Sequence, residues 1–476
     1  DQEEVELDTV ELEELEPPPD SAYAAPIKVA FSYRNPDAPA DPVKMYLLDS
    51  STKPIALSQT SLVPLTSGID CDQGLCMLTS DLRYFVYHLI GTELRIAPIT
   101  NEQVALPELQ LLDATVDSAQ VAGQRLAYVS NNSIYYLDLS SGLGAPVELG
   151  QVLVTLDDGI DYVGGGIALA ERGDSLLIYR YDRGSLAVFQ KPLNGDDERF
   201  LFRLGIPRGS GSQFTGKNPI VVSQDGNTAV ALIEGVTLYD ICTTAQACGA
   251  VTEGSCLFYT DDQGVQSSNG LCASSERALY AFGLDTEDLG RRCNDDSECD
   301  PRHSCAIDPS TLIGTPKKWC LPRRHVVAPR STQACNIVDR DGFADVLPKL
   351  RINQDDRVFF LGFNACYEPN VGRHALVSIN LSLDPESLEH VEGPYDHDWG
   401  QRFCYDEQED RWDYPACAIE LQDFELAPNG GLVLRASGLN DRLGRELWFI
   451  DKDGGKYPAT NDIFFEVASL HATSAP

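Results

Sequence analysis

The 476-residue chain has few histidines and methionines and lacks any C-x-x-C pair. It also lacks an uninterrupted apolar run near the ~18 residues that a membrane-spanning helix needs, so we expect no such helix. None of the seven histidines stands in an H-E-x-x-H pattern. The G-x-S-x-G motif of an exposed serine nucleophile and the glycine-rich phosphate loops are missing too. These absences argue against zinc peptidases, serine hydrolases and nucleotide-binding enzymes.

Positive charge is also scarce. The 36 lysines and arginines face 73 aspartates and glutamates, which gives a net charge of −37. A surface this acidic repels phosphate backbones, so we expect no nucleic-acid partner. The hydrophobic fraction of 43% is nevertheless sufficient for a packed core, which excludes bulk disorder.

Fourteen cysteines indicate the compartment. Their number is even and their spacing fits neither zinc knuckles nor redox dithiols, so we predict disulfides. Disulfides persist in oxidising compartments, and we therefore expect an exported protein that is extracellular, periplasmic or tethered to the cell surface. Short β loops bring close cysteines within bridging distance, which favours the pairs Cys71–Cys76 and Cys404–Cys417. The complete set is Cys71, Cys76, Cys242, Cys248, Cys256, Cys272, Cys293, Cys299, Cys305, Cys320, Cys335, Cys366, Cys404 and Cys417.

The N-terminal residues 1–25 are predicted to form an acidic, extended arm. Residues 1–20 carry ten acidic groups and no basic one. Mutual repulsion favours a solvated tether. Within this segment Val5, Leu7, Val10 and Leu12 alternate with polar residues, as in a half-buried strand. The alternative is therefore that the arm adds to a sheet edge and mediates self-assembly.

Short β-type runs recur from residue 26 onward, and helical periodicity is missing nearly everywhere. The first runs of each group cover 27–33, 82–89, 124–130, 174–181, 227–233, 277–284, 356–363 and 430–437. Most are followed after a polar gap by a second run, at 92–99, 133–139, 185–193, 235–241, 374–381 and 445–451. Repeated strand pairs about 40–55 residues apart are typical of propeller blades with four antiparallel strands each. Two stacked β-sandwiches are the alternative that strand content leaves open.

One turn supports the propeller. The segment SQDGN at 223–227 supplies an Asp-Gly pair suited to positive φ. It resembles the S-x-D-G turn that opens blades in TolB-like and WD40-like propellers. The resemblance implies an all-β propeller of seven or eight four-stranded blades over residues 26–470, followed by a tail at 471–476.

A cysteine-rich insertion is predicted at 285–324. Within it, Cys293, Cys299, Cys305 and Cys320 follow a C-x5-C-x5-C-x14-C spacing. This pattern resembles the Dickkopf-type repeat of secreted animal proteins and of many myxobacterial surface proteins. The resemblance implies extracellular display and alternate pairing of the four cysteines. The stretch is too short and polar to form its own core, so crosslinks must hold it.

A second insertion, at 384–423, is rich in aromatic and acidic residues. Aromatic side chains give large contact areas at small entropic cost, so we predict a binding surface here. The alternative is that the rings form the loop's own core. The predicted binding residues are Tyr395, His397, Trp399, Tyr405, Trp412 and Tyr414.

Calcium is the predicted cofactor. Asp339, Asp341 and Asp345 form a D-x-D-G-x-x-D pattern, in which carboxylates around a glycine turn can converge on one hard cation. Ile337 stands where a further acidic ligand is expected, so an ordinary β-turn is the alternative.

Taken together, these patterns favour a secreted or surface-tethered binding or scaffold protein that recognises a protein or a glycan. It could also serve as a subunit of an extracellular assembly. An exported hydrolase or lyase is the alternative, because two carboxylates in a central cleft suffice for glycoside hydrolysis. A fold alone does not decide between these functions.

Overall fold

The fold is described from a computed structural model. The described residues are 27–34, 44–49, 65, 69, 71, 74–89, 93–100, 104, 110–154, 162–181, 185–205, 220–233, 237–243, 256–260, 266–273, 278–307, 317–326, 350–353, 355–363, 374–382, 391–392, 405–406, 411–412, 419–427, 431–438, 445–450, 456–458 and 466–474. Their regular secondary structure is β-strand, apart from one turn of 3-10 helix at Asp296–Glu298. Among them no helix is long and apolar enough to cross a membrane.

Three regular sheets occupy residues 74–205, each built from four consecutive antiparallel strands. Sheet 2 contains β3 (Gly74–Leu78), β4 (Tyr84–Leu89), β5 (Leu94–Pro98) and β6 (Gln110–Asp113). Sheet 3 contains β7 (Val116–Ala122), β8 (Arg125–Ser130), β9 (Ser133–Asp138) and β10 (Val147–Gln151). Sheet 4 contains β11 (Gly164–Leu169), β12 (Ser175–Tyr181), β13 (Ser185–Pro192) and β14 (Arg199–Gly205).

The next sheet is larger and carries two additions. Sheet 5 has the order β15-β16-β20-β22-β21, with β15 at Ile220–Val222, β16 at Thr228–Ile233, β20 at Ala278–Gly283, β21 at His303–Ile307 and β22 at Lys318–Val326. A separate sheet between β16 and β20 has the order β17-β19-β18, with β17 at Thr237–Cys242, β18 at Cys256–Thr260 and β19 at Gln266–Ala273.

The C-terminal part returns to four-stranded sheets. Sheet 6 contains β23 (Leu350–Ile352), β24 (Arg357–Phe363), β25 (His374–Asn380) and β26 (Val391–Glu392). A two-stranded hairpin follows, β27 (Tyr405–Asp406) with β28 (Arg411–Trp412). Sheet 7 contains β29 (Ile419–Leu426), β30 (Leu432–Gly438), β31 (Arg445–Ile450) and β32 (Lys456–Pro458).

The chain ends close the structure into a ring. Sheet 1 combines β1 (Ile27–Arg34) and β2 (Lys44–Asp49) from the N-terminal end with β33 (Glu466–Ser474) from the C-terminal end. Strand β33 contacts sheet 7, and the core of sheet 1 packs against sheet 2. The remaining sheets contact their neighbours in chain order. The all-β propeller expected from the strand repeats is therefore confirmed. The blade count stays a prediction, because residues 327–349 and other stretches lie outside the described part.

Packing between neighbouring sheets explains why many strands read as continuous apolar runs. In β12, Leu176 and Ile178 pack in the core shared with sheet 3. The alternate residue Leu177 packs in the core shared with sheet 5. Both faces of the strand are thus buried, which removes the polar alternation of a one-sided sheet. This two-sided burial, together with the closed ring, excludes the stacked sandwiches.

Polar groups also connect adjacent sheets. Gln120 on β7 donates to the Ile167 carbonyl at 2.9 Å and accepts from the Leu169 amide at 3.0 Å, so one side-chain amide joins β7 to β11. Arg351 on β23 makes a bidentate pair with Glu425 on β29 at 2.6 and 2.9 Å. Such fully paired contacts fix one sheet relative to the next.

The structure corrects the strand pairing expected between residues 227 and 284. The run at 277–284, read from sequence as the first strand of a new repeat, instead pairs as β20 with β16 in sheet 5. The run at 235–241 pairs as β17 with β19, away from β16. The cysteine-rich segment is also integrated into the ring, since its last strand β22 pairs with β20. The prediction was wrong because the inserted sheet β17-β19-β18 lengthens the connection between β16 and β20 to about the length of one repeat. The distance between the two strands in sequence therefore resembles the distance between successive blades.

Candidate functional site

The turn at 223–227 joins β15 to β16, as its sequence predicts. The Asp225 carboxylate accepts hydrogen bonds from the Ser223 hydroxyl at 2.6 Å and from the Asn227 amide at 3.1 Å. Ser223 in turn accepts from the Thr228 amide at 3.0 Å. Burial opposes ionisation of Asp225, but these hydrogen bonds outweigh it, so its pKa lies below the ordinary value. Asp225 is therefore an ionised, structurally held carboxylate.

Two further turns have related geometry, although sequence reasoning missed them. In sheet 2 the Tyr84 amide donates to the Thr79 hydroxyl at 3.0 Å, and Leu82 has a φ of 55°. In sheet 6 the Arg357 amide donates to the Asn353 side chain at 3.0 Å, and Asp356 has a φ of 54°. These two turns lack the glycine that marks such a turn in a sequence, because Leu82 and Asp356 adopt the left-handed backbone that glycine usually occupies.

The turns of sheets 4 and 5 meet at Gly226. The Arg172 amide donates to the Gln224 carbonyl at 3.2 Å, and the Gln224 side chain donates to Glu171 at 2.6 Å. A Cβ atom at Gly226 would lie 2.7 Å from the Arg172 carbonyl oxygen, and the residue has a φ of +83°. Glycine is thus required both for the backbone conformation and for the close approach of the two sheets.

We expect Gly226→Ala to lower the free energy of unfolding by about 1–3 kcal/mol, because positive φ and a backbone clash both oppose a Cβ atom. Chemical denaturation measures this loss. Gly195→Ala is the matched control: Gly195 has a φ of +91° but open space around its Cβ position. It isolates the cost of backbone strain from the cost of the clash. Equal losses in both variants would contradict the close-approach argument.

A pocket lies between these two turns and the beginning of the cysteine-rich segment; we call it the inter-sheet pocket. Its volume is about 150 Å³. The lining combines apolar residues of sheets 4 and 5 with one arginine and three aspartates. The lining residues are Ala168, Ala170, Arg172, Gly173, Asp174, Ser175, Leu176, Leu177, Gln190, Val222, Asp225, Gly226, Asn227, Leu284 and Asp285. The charged groups are thus contributed by two hairpin turns and by the residues that follow β20.

Arg302 joins the cysteine-rich segment to the rim of this pocket. Its guanidinium donates to Asp300 at 2.8 Å and to Asp285 at 2.7 Å, and also to the Asn227 carbonyl at 3.2 Å. The hydrogen bond to Asp300 outweighs burial and raises the pKa of Arg302, while the same bond lowers the pKa of Asp300. The guanidinium lies directly over Gly283, where a Cβ would meet it at 2.7 Å. The segment is therefore held against sheet 5.

His303 forms a second set of contacts between the cysteine-rich segment and strand β20. Its imidazole is fully buried; Nε2 accepts from the Gly283 amide at 3.0 Å, so Nδ1 carries the proton and donates to Asp288 at 3.0 Å. Burial is the largest influence on His303 and lowers its pKa, although Asp288 and Asp300 oppose the shift. With both ring nitrogens used in this way, His303 serves as a neutral structural residue.

We expect stability to fall on acidification below about pH 6.5, the ordinary histidine value. Because the folded pKa of His303 lies below the unfolded one, the unfolded chain binds more protons between the two values, and the stabilisation present above pH 6.5 is lost as the pH falls. Denaturation at stepped pH, compared between wild type and His303→Gln, measures this contribution. An imidazole NMR signal of His303 that titrates above pH 6.5 would contradict the assignment.

Four disulfides lie among the described residues. They are Cys71–Cys76, Cys242–Cys256, Cys293–Cys305 and Cys299–Cys320. The first agrees with the neighbour pairing predicted from sequence, and the last two have the alternate pairing implied by the Dickkopf-type resemblance. Cys272 is also disulfide-bonded. Sulfur atoms of Cys293, Cys299 and Cys305 lie close enough to hold a metal ion, but as disulfides they cannot act as thiolate ligands.

Most residues predicted to bind a ligand lie outside the described part of the chain. Tyr405 and Trp412 are described only as backbone partners in the β27–β28 hairpin. The other four, Tyr395, His397, Trp399 and Tyr414, lie beyond the described ranges, as do the calcium candidates Asp339, Asp341 and Asp345. Cys248, Cys335, Cys366, Cys404 and Cys417 lie there as well. The ligand and calcium assignments stay predictions.

The chain is similar to several solved structures, at low sequence identity. No protein-family profile and no curated protein matches the chain. Among solved structures, TolB from Acinetobacter baumannii aligns over 75% of this chain and 61% of its own, at 10% identity and a TM-score of 0.32. A post-proline cleaving enzyme from Rickettsia typhi aligns over 92% of this chain and 53% of its own, at 8% identity and a TM-score of 0.43. The Swd1 propeller domain from Myceliophteria thermophila aligns over 85% of this chain and 87% of its own, at 10% identity and a TM-score of 0.31.

Proposed function

We propose that this chain is an exported protein-binding module. It recognises its partner with the surface formed by the inter-sheet pocket and the cysteine-rich segment, which we call this end of the ring. The observation behind this proposal is the way that segment is held. Two disulfides, the Arg302 contacts and the neutral His303 fix residues 285–302 against strands β20, β21 and β22 of sheet 5. Loops fixed on a rigid scaffold are the usual site of recognition in such folds.

Export is proposed from all four disulfides of the described residues. Four bridges in the described residues would not persist in a reducing cytosol. Mass spectrometry of the non-reduced, alkylated protein isolated from the cells that produce it tests this point. We expect all fourteen cysteines to be protected from alkylation. Several free thiols would contradict the export proposal.

Glycan recognition, calcium binding and assembly are further parts of this proposal. Glycan recognition rests on the aromatic content of 384–423, and calcium binding rests on Asp339, Asp341 and Asp345. Assembly rests on the alternating residues of the acidic arm. Deleting residues 1–20 and measuring mass by light scattering, with and without calcium, tests assembly through the arm. Identical masses throughout would contradict assembly through the arm.

Site-specific photo-crosslinking tests partner binding. A photoreactive amino acid replaces Glu298, which is exposed at the turn of the cysteine-rich segment. The matched control replaces Val147, which is 53% exposed on β10, in a different sheet. In the producing cells we expect one crosslinked protein from position 298 and none from position 147. Crosslinks from neither position, or equally from both, would contradict recognition by this end of the ring.

A further inference from the structure

We propose that the inter-sheet pocket receives one basic side chain, a lysine or an arginine, from the protein partner. This inference rests on the proposed function and names the chemistry of the partner's anchoring residue. It follows from three properties of the pocket: its size, the apolar side chains that form part of its lining, and the charge at its mouth.

The size of the pocket selects a single side chain. Pockets for metabolites and drug-sized ligands measure about 300–1,000 Å³. The inter-sheet pocket, at about 150 Å³, matches a cavity that holds one benzene-sized group. Anchoring residues at protein interfaces fill pockets of this kind, and arginine is enriched among them. A side chain projecting from a partner fits this volume, whereas a free cofactor does not.

The wall suits the aliphatic part of a long side chain. Ala168 and Leu177 are buried, and Val222 and Leu284 are half-buried beside them. The polar residues Gln190 and Ser175 bond to each other at 2.9 Å. Lysine and arginine place a methylene stem along apolar surface while keeping the charged group near the opening.

The charge at the mouth selects a cation. Asp174, Asp225 and Asp285 line the pocket. Asp285 is paired with Arg302 at 2.7 Å. This pairing leaves Asp174 and Asp225 beside one exposed basic residue, Arg172. The pKa of Asp225 is lowered by its hydrogen bonds, so this carboxylate stays ionised at neutral pH. The whole chain carries −37, which steers cationic partners towards it and acidic ones away.

The pocket is also rigid before a ligand enters. Gly226 holds the two turns in contact, and Arg302 ties Asp285 and the Asn227 carbonyl to the cysteine-rich segment. A cavity that is already formed avoids the entropic cost of ordering loops on binding. Recognition of one side chain can therefore contribute to affinity although the contact is small.

Binding of blocked tripeptides tests the inference. The probes are acetyl-Gly-X-Gly-amide, where X is arginine, lysine, citrulline or norleucine, added to the full-length protein with methyl NMR signals of Leu177, Val222 and Leu284 as readout. We expect saturable shifts for the arginine or lysine probe, with a dissociation constant on the order of 1 mM. We expect at least fivefold weaker binding of citrulline and norleucine, which lack the charge. Equal binding of all four probes, or shifts with none, would overturn the proposal.

Two variants give a matched comparison. Asp174→Asn removes one carboxylate at the mouth and keeps the side-chain size; it should weaken the basic probe about threefold or more. Asp197→Asn removes an exposed carboxylate outside the pocket and should change the dissociation constant less than 1.5-fold. An equal effect of the two variants would show that only the overall charge matters and would overturn the pocket assignment.

The outcomes separate this inference from the proposed function. If the probes fail while position 298 still crosslinks one protein, the partner binds this end of the ring without the pocket, and only the present inference is lost. If the probes bind while no crosslink forms, the pocket exists but the recognition function is contradicted.

Discussion

Replacing Glu198 by alanine should lower the free energy of unfolding by about 3 kcal/mol, the lower end of the cost of breaking a buried ion pair, because the Glu198 side chain is 27% exposed. The guanidinium of Arg180 is fully buried between sheets 3 and 4, and it makes a bidentate pair with Glu198 at 2.6 and 2.8 Å. It also donates to the carbonyls of Gln151 and Val152 and lies 4.3 Å from the Phe189 ring centroid. Without the carboxylate, a buried positive charge has no counter-ion.

A double variant distinguishes charge from packing in this prediction. Arg180→Met combined with Glu198→Ala removes both charges, so it should recover part of the loss seen in Glu198→Ala alone. Asp197→Ala is the matched control, since it removes an exposed neighbouring carboxylate and should change stability by less than about 0.5 kcal/mol. Urea denaturation of all variants gives the comparison. A double variant less stable than Glu198→Ala would contradict an uncompensated charge as the cause.

The second large effect is expected on opening the Cys299–Cys320 bridge. The bridge spans 21 residues of sequence, and the chain-entropy argument assigns a loop of that length a stabilisation of about 3 kcal/mol. The Cys299→Ser/Cys320→Ser variant should therefore lose about that much. Cys320 lies on β22, so the loss should also speed hydrogen exchange along β22 and in its neighbour β20.

The Cys71–Cys76 bridge provides the matched control for this prediction. Its sequence separation is only 5, so the same argument gives a smaller loss, about 2 kcal/mol, for Cys71→Ser/Cys76→Ser. Hydrogen exchange in β22 should not change in that control. Unchanged exchange in β22 after loss of Cys299–Cys320 would contradict the role of the bridge in holding this strand to the ring.

The sequence predicted most strands of the ring because their pattern is local. The paired runs at 82–99, 124–139 and 174–193 are strands β4 with β5, β8 with β9 and β12 with β13. Each pair is joined by a short connection, so the hydrophobic runs and the turn residues between them contain the necessary information. The turn at 223–227 was predicted for the same reason.

The inter-sheet pocket was not predicted from sequence. Its lining comes from residues 168–177, 190, 222–227 and 284–285, which are brought together only when sheets 4 and 5 pack. Asp174 stands in a degraded copy of the S-x-D-G turn, and Asp285 stands in a stretch with no motif of its own. The pairing of Arg180 with Glu198 has the same character, since no short pattern connects them. Such contacts depend on the register and packing of strands distant in sequence.

The sequence by itself determined the class of fold, the acidic character and the reliance on disulfides. These depend on composition, on runs of residues and on cysteine count, which are properties of the chain before it folds. Only the tertiary structure decided that β20 pairs with β16 and that β22 brings the cysteine-rich segment into sheet 5. The physical reason is that strand partners are chosen by burial of both faces between neighbouring sheets, and an inserted sheet changes which strands are neighbours without changing their local pattern.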